Sequence, residues 1–239
     1  WMWCDAFVIQ EAHVTNRDWL AFLDDLQADG RAELAERCAP RDYQVTSDGQ
    51  RPFWEVGEDR RWRMLPDLDG DVWQPDWPIM MIDYASTVAY VLWRRERDGL
   101  PWRLPSELEW EKAARGVDGR KFPWGDRFDP TFAATEYHAG IALVAAWERP
   151  VDISPYGVRS MAGNIAEVCL EPGGLDLPDD PRVRIGPFPL EVPEHVASRG
   201  GSWSGPPHGV RSAARGFGPA NRGLFTQGLR LARSFVRDL

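Results

Sequence analysis

The stretch Ser198-Arg199-Gly200-Gly201-Ser202-Trp203, continued by Val210-Arg211-Ser212-Ala213-Ala214-Arg215 and closed by Gly228-Leu229-Arg230-Leu231-Ala232-Arg233, decides how this chain folds. Paired glycines let the backbone take positive φ or pass close beside a ring. Arginines carry a planar fork that ties loop carbonyls and carboxylates together. Such a pattern belongs to a protein with little regular structure, in which side-chain donors take up the backbone carbonyls that sheets and helices leave over.

The rest of the composition agrees. The chain has 239 residues, 43% of them hydrophobic and 27% charged, as in a globular protein of one large core. Thirteen tryptophans supply large buried rings, and Gly and Pro together make 42 residues, which implies many fixed turns and long ordered loops. The net charge is −9 and the basic residues are scattered, so nucleic acid is not expected as a partner. No apolar run approaches the ~18 residues of a membrane-spanning helix, and no membrane association is expected. Cys4, Cys38 and Cys169 are odd in number and far apart, a pattern of a reducing compartment; the expected location is the bacterial cytoplasm. The opening at Trp1 rather than Met leads us to expect a single domain over residues 1–239 that forms the C-terminal part of a longer protein, with an upstream domain as a partner.

Along the chain, Val8-Ile9 begins a short strand. Trp19, Leu20, Phe22, Leu23 and Leu26 then recur at helical spacing behind Thr15 or Asn16 as cap. A short helix over Ala32–Arg37 leads into Pro- and Trp-rich loop. A helix over Tyr84–Arg97 is opened by Asp83 and closed by Gly99. Ser106-Glu107-Leu108-Glu109 is a capping box that starts a helix ending at Arg115, with Gly116 as its stop. Val196–Trp203, Arg211–Phe217 and Leu229–Phe235 read as strands. Helices early and strands late make an α+β domain, loop-rich, with small twisted antiparallel sheets and two to three helices.

Several blocks carry a family resemblance. They are His13-Val14-Thr15-Asn16 with Phe22-Leu23; Trp77-Pro78-Ile79-Met80-Met81-Ile82-Asp83; Trp102 to Gly116, reading WRLPSELEWEKAARG; Phe122-Pro123-Trp124-Gly125-Asp126; Tyr156 to Glu167, reading YGVRSMAGNIAE; and the C-terminal run quoted first. In this order they resemble the formylglycine-generating-enzyme (sulfatase-modifying-factor) domain, a variant of the C-type lectin fold. The stretch GLPWRLPSELEWEKAARGVDGRKFPWGDRFDP is similar to the subgroup found in bacterial multidomain signalling proteins and kinases. The layout RGGSW, VRSAAR, PANR, GLRLARS is similar to that of proteins diversified by retroelements.

The resemblance places a catalytic copper between Trp203 and Arg211, held by two cysteines. Here that connection reads Ser204-Gly205-Pro206-Pro207-His208-Gly209, and no cysteine follows Cys169. Copper(I) needs soft thiolates, so no copper is expected. The related sulfoxide synthases hold iron with three histidines; His13, His138, His195 and His208 are far apart in this sequence, and no iron is expected. Cys169 reads as a buried thiol. Glu107 and Glu111, at i and i+4, read as a solvated helix face rather than an acid/base pair. The resemblance also implies a structural calcium with Ser160 and Glu167 as side-chain ligands and the carbonyls of Gly163 and Ile165 between them. Asp67, Asp69 and Asp71 read as a polar turn, since they lack a glycine at the place a calcium loop requires.

The expected function is a non-catalytic ligand- or protein-binding or sensing module. Loops on a rigid frame are where binding sits, and the surface would comprise Ser204, Gly205, His208, Gly209, Phe217, Asn221, Leu224, Phe225 and Thr226, facing a protein, peptide or small molecule. The alternative is a metal-dependent oxidoreductase of the formylglycine-generating or sulfoxide-synthase type.

Overall fold

The computed structural model describes residues 3–41, 52–67, 70–137, 143–172 and 192–235. The first strand is β1 (Phe7–Ile9), followed by α1 (Asn16–Ala28) and α2 (Ala32–Cys38). A hairpin of β2 (Trp54–Val56) and β3 (Trp62–Met64) precedes α3 (Tyr84–Asp98) and α4 (Glu107–Arg115). Then come β4 (Ala166–Pro172), β5 (His195–Arg199), β6 (Arg215–Pro219), β7 (Gln227–Gly228) and β8 (Ala232–Ser234). The α+β architecture is as expected. Among the described residues four helices form rather than two to three, α2 being the short one.

Local chemistry explains the helix ends. Thr15, not Asn16, caps α1: its hydroxyl accepts from the Asp18 N–H while the Asp18 carboxylate accepts from the Thr15 N–H. Asn16 is buried instead and donates to the Gln74 carbonyl at 2.8 Å. Asp83 caps α3, and Gly99 ends it at φ 65°. On α4 both halves of the Ser106–Glu109 box are made.

The α1 face of Trp19, Phe22, Leu23 and Leu26 meets α3, where Trp19 stacks on Tyr90 with ring centroids 4.9 Å apart. Each such fully buried side chain is worth ~1.5–3 kcal/mol against exposure. Opposite the helices lies a four-stranded sheet in the order β6-β5-β4-β7. Strand residues alternate between faces, and this sheet uses both. Val168 and Val196 join the aromatic core of α1–α3, whereas Cys169 and Ala197, one residue on, pack against Trp110, Ala113 and Ala114 of α4. A smaller cluster of Phe122, Ala133, Ala162 and Val210 closes one side.

The sheet is not wholly antiparallel. β7 runs parallel to β4, with Ala166 opposite Gln227 and Glu167 opposite Gly228. A parallel pair needs a crossover, and residues 220–226 supply it, held to the core by Tyr84 N–H to Ala220 O at 3.0 Å and Met81 N–H to Leu224 O at 3.2 Å. A second small sheet pairs β1 with β8, which brings the two ends of the sequence together.

Candidate functional site

Two places in this frame carry chemistry, and they differ in kind. The first lies where β4, α4 and the segment after β7 meet. Glu167 and Arg230 are fully buried. The carboxylate of Glu167 accepts from Arg230 Nε at 2.9 Å and Nη2 at 2.8 Å, and from Trp110 Nε1 at 2.7 Å. His13 Nε2 sits 3.1 Å away, without hydrogen-bond alignment. Arg230 spends its remaining donors on the carbonyls of Gln10, Glu11 and Arg159. Burial alone would raise the Glu167 pKa; Arg230 first and His13 next outweigh it and hold the group at about 2. Burial lowers the His13 pKa, so its imidazole is held neutral against the pull of Glu167.

These contacts do not fit the expected calcium. Glu167 already faces a guanidinium and an indole N–H, and a dication would have to displace or stand against Arg230. Ser160 is turned to a different partner, its hydroxyl accepting from Asn164 Nδ2 at 3.1 Å. Ile165 is buried in the aromatic core. Gly163 has φ 83° and donates to the Gly200 carbonyl; a Cβ there would lie 2.1 Å from the Ala134 carbonyl oxygen, so its glycine serves a backbone crossing. Among the described residues no group of three or more His, Cys, Asp or Glu is placed to hold a metal ion. Asp67 accepts from the Asp71 N–H at 2.9 Å, as a polar turn does, while Asp69 lies outside the described residues, as does His138.

The underside of the sheet corrects the solvated-face reading of α4. Glu107 is fully buried and takes a bidentate bond from Arg215, with Nε and Nη2 both at 2.6 Å. Glu111 is bonded by the buried Arg199, whose other donors reach the Ala213 and Ala214 carbonyls. Arg103 pairs with Glu109 at 2.7 and 2.8 Å in the same bidentate way. Periodicity showed that Glu107 and Glu111 share a face, but the arginines that claim them come from strands 108 and 88 residues later, which no local pattern announces. Beside them Glu171 accepts from the Glu107 N–H at 2.8 Å, and burial pushes its carboxyl up to about 7. Asp152, holding the Met161 and Ala162 N–H groups, is likewise pushed to about 7 by burial.

The second place is the loop surface. Ser204 and His208 are exposed, Gly205 and Gly209 half-buried. Gly205 N–H closes on the Ser202 carbonyl and Gly209 N–H on the Pro206 carbonyl, so this segment is two consecutive turns. Trp203 joins it to the crossover: its backbone N–H donates to the Asn164 carbonyl at 2.9 Å, its indole N–H donates to the Phe225 carbonyl at 3.0 Å, and the Trp203 and Phe225 rings lie 5.8 Å apart. Asn221 is exposed and Phe225 is 51% exposed, while Leu224 and Thr226 are partly buried and spend their carbonyls on Met81 and Ala166. Phe217 is 48% exposed but does not belong with them. It stands on β6, its ring under the Arg215 guanidinium at 5.1 Å, on the face that looks toward α4. The structure thus joins the turn of Ser204 and Gly205 to Phe225 through Trp203, keeps His208 and Gly209 in the turn that follows, and sets Phe217 apart. Cys38 and Cys169 are both buried; burial raises Cys38 to about 11 and holds Cys169 well above the ordinary thiol value, so neither offers a thiolate to this surface.

With the frame and both places described, the class is plain. The chain belongs to the sulfatase-modifying factor enzyme 1-like domain family, whose pattern matches residues 2–235. It is 28% identical to the formylglycine-generating enzyme of Thermomonospora curvata over 82% of this chain and 71% of that one. It is 27% identical to YfmG of Bacillus subtilis over 70% of this chain, and to the hercynine oxygenase of Mycolicibacterium smegmatis over 95%. The chain spans about a third of the first of these two relatives (34%) and about half of the second (53%). Its fold is similar to PvdO from Pseudomonas aeruginosa (TM-score 0.67, 23% identity, 96% of this chain and 80% of that one). It is also similar to Treponema denticola variable protein 1 (TM-score 0.63, 19% identity, 95% of this chain and 84% of that one). The family therefore contains enzymes, and the fold is shared with a variable protein.

Proposed function

We propose that the chain is a non-catalytic binding module of this family, presenting the Trp203-centred loops to a protein, peptide or small ligand. The observation that carries the reading is the chemistry of the segment Ser204–Gly209. Where the resemblance puts two copper-binding cysteines, this segment forms two tight turns of Ser, Gly, Pro and His. A single exposed imidazole does not replace a bis-thiolate. Half-exposed Phe225 against Trp203 supports a contact role, since aromatic rings carry much of the energy at recognition surfaces. A bacterial cytoplasmic setting and an upstream domain of the same protein are part of the proposal, supported by three unpaired cysteines and by the partial coverage of the relatives.

The test is oxygen consumption by purified protein loaded with copper(I) or iron(II), given a cysteine-containing peptide or a small thiol. No turnover above free metal is expected. Turnover that survives purification, and is lost on His208→Ala, would overturn the reading in favour of an oxidoreductase, the activity that the names of two relatives denote.

A further inference from the structure

The four-stranded sheet ends on β6, whose outer edge pairs with no other strand among the described residues. The Ala220 N–H bonds the Glu194 carbonyl, and this fixes the phase of the β5–β6 ladder. Gly216 and Gly218 then exchange bonds with Ser198 and Val196, and the N–H and C=O of Phe217, opposite Ala197, point away from the sheet. Among the described residues no hydrogen bond reaches them. Open edges are usually blunted by charge, proline or a bulge; here Pro219 blunts only the end, and the residue at the centre is a half-exposed phenylalanine.

The other side of the same edge is polar. Arg222, exposed and without an ion-pair partner among the described residues, lines a cleft of about 10 Å³ with Pro219, Val196 and Gln227. Gln227 is 7% exposed, and its side-chain amide makes no hydrogen bond among the described residues. Gly218 leaves room for it, since a Cβ there would stand 2.7 Å from Gln227 Nε2. Asp83 also lines the cleft, but its carboxylate is held by Arg37 and the Ser86 N–H. Such a space fits one carboxylate oxygen or one water. In a chain of net charge −9, the sequence from Ser198 to Phe235 has six arginines and no Asp or Glu. Arg199, Arg215 and Arg230 are neutralised by Glu111, Glu107 and Glu167, which leaves Arg222 as the cation at this edge. Glu194, opposite Ala220, is the acid in register with its far end.

We propose that the β6 edge at Gly216–Phe217–Gly218 takes an extended acidic peptide as an added strand, with an apolar side chain on Phe217 and a neighbouring carboxylate turned to Arg222 and Gln227. This rests on the binding-module reading and names its partner. Alternation places successive side chains of one strand on opposite faces, as this pair of contacts requires. A second copy of the chain fits poorly, because antiparallel pairing of two β6 edges about Phe217 would set Ser212 opposite Arg222 and bring it no carboxylate from this stretch.

The probe is a fluorescent octapeptide of alternating Val and Glu, titrated by anisotropy against the whole protein, with hydrogen exchange of the Phe217 amide followed in parallel. We expect binding with slowed Phe217 exchange, about tenfold weaker for Arg222→Gln, for the Val–Lys peptide and for the Val–Glu peptide N-methylated at alternate residues. Equal binding of the N-methylated peptide overturns the added strand, and equal binding of the Val–Lys peptide overturns the acidic partner. Absence of binding, or concentration-dependent dimerisation with Phe217 protected and no peptide bound, overturns the inference as well. Binding that is insensitive to Arg222→Gln but lost on Phe225→Ala moves the ligand to the loops, in which case the inference fails and the binding-module reading stands.

Discussion

The α4 side of the sheet and the Trp203 loops are built from the same stretch of sequence and use their arginines in opposite ways. Beneath the sheet, Arg199, Arg215 and Arg230 are each matched to a glutamate in a region nearly closed to water. In the loops and crossover, Arg211 and Arg222 are exposed, no carboxylate stands in the local sequence, and Phe225 shows half its surface. Substitution beneath the sheet should therefore destroy the frame, while substitution in the loops should change only what the frame presents.

Glu167→Ala is the strongest way to break the contrast. It strands the Arg230 guanidinium and the Trp110 N–H in the interior, at a cost of about 3–5 kcal/mol, and loss of the folded circular-dichroism signal is expected near room temperature. Melting of the unaltered protein should be indifferent to a calcium chelator; a fall in Tm would show that Glu167 serves an ion after all. Gly201→Ala comes next. Its φ is 69° and a Cβ would stand 2.7 Å from the Gly209 carbonyl oxygen and 2.8 Å from Val210 Cγ1. The expected loss is about 2–4 kcal/mol in urea unfolding, against a change within ~0.5 kcal/mol for Ser204→Ala, exposed in the turn that follows.

A titration sharpens the comparison further. Burial holds Glu171 and Asp152 near pH 7 in the folded chain, above their unfolded values. The folded state therefore keeps these protons more tightly, and stability falls as pH rises from about 4 to 7 before levelling off. Glu171→Gln keeps the acceptor for the Glu107 N–H and removes the charge. It should stabilise by ~1–3 kcal/mol at pH 8 and change nothing near pH 4. Equal effects at both pH values would assign the gain to packing. Smallest is the pair Phe217→Ala with Phe225→Ala: the rings are half-exposed, so each should cost under about 1 kcal/mol in Tm measurements, and a collapse would return both to the core.

The sequence was most legible where the physics is local. Ser106–Glu109 and Asp83 with Gly99 marked two helices nearly to the residue, because capping depends on neighbours three or four positions away. The order of family blocks carried the fold. What stayed hidden was long-range. The strand β4 went unread, since it only begins at the end of the Tyr156–Glu167 block and both its partners, the antiparallel β5 and the parallel β7, come from later sequence. The β2–β3 hairpin looked like Pro- and Trp-rich loop because its register is fixed by burying Trp54 and Trp62 under α1, not by alternation. In the candidate site, the Trp203 loops could be drawn from their place between fixed blocks. The separation of Phe217 from Phe225 could not, because it depends on which side of the sheet the crossover runs.

The arginine near the chain's end has a consequence for synthesis. Arg230 donates to the carbonyls of Gln10 and Glu11, and β8 supplies the only strand that β1 pairs with among the described residues. A nascent chain that has already made all four helices still lacks the residue that neutralises Glu167 and fastens its own beginning. Folding of this domain on the ribosome must therefore wait for residues 195–234 to emerge, with the aromatic core uncovered on its sheet side until then. This is an order of events in which the displayed loops and the keystone of the frame arrive together.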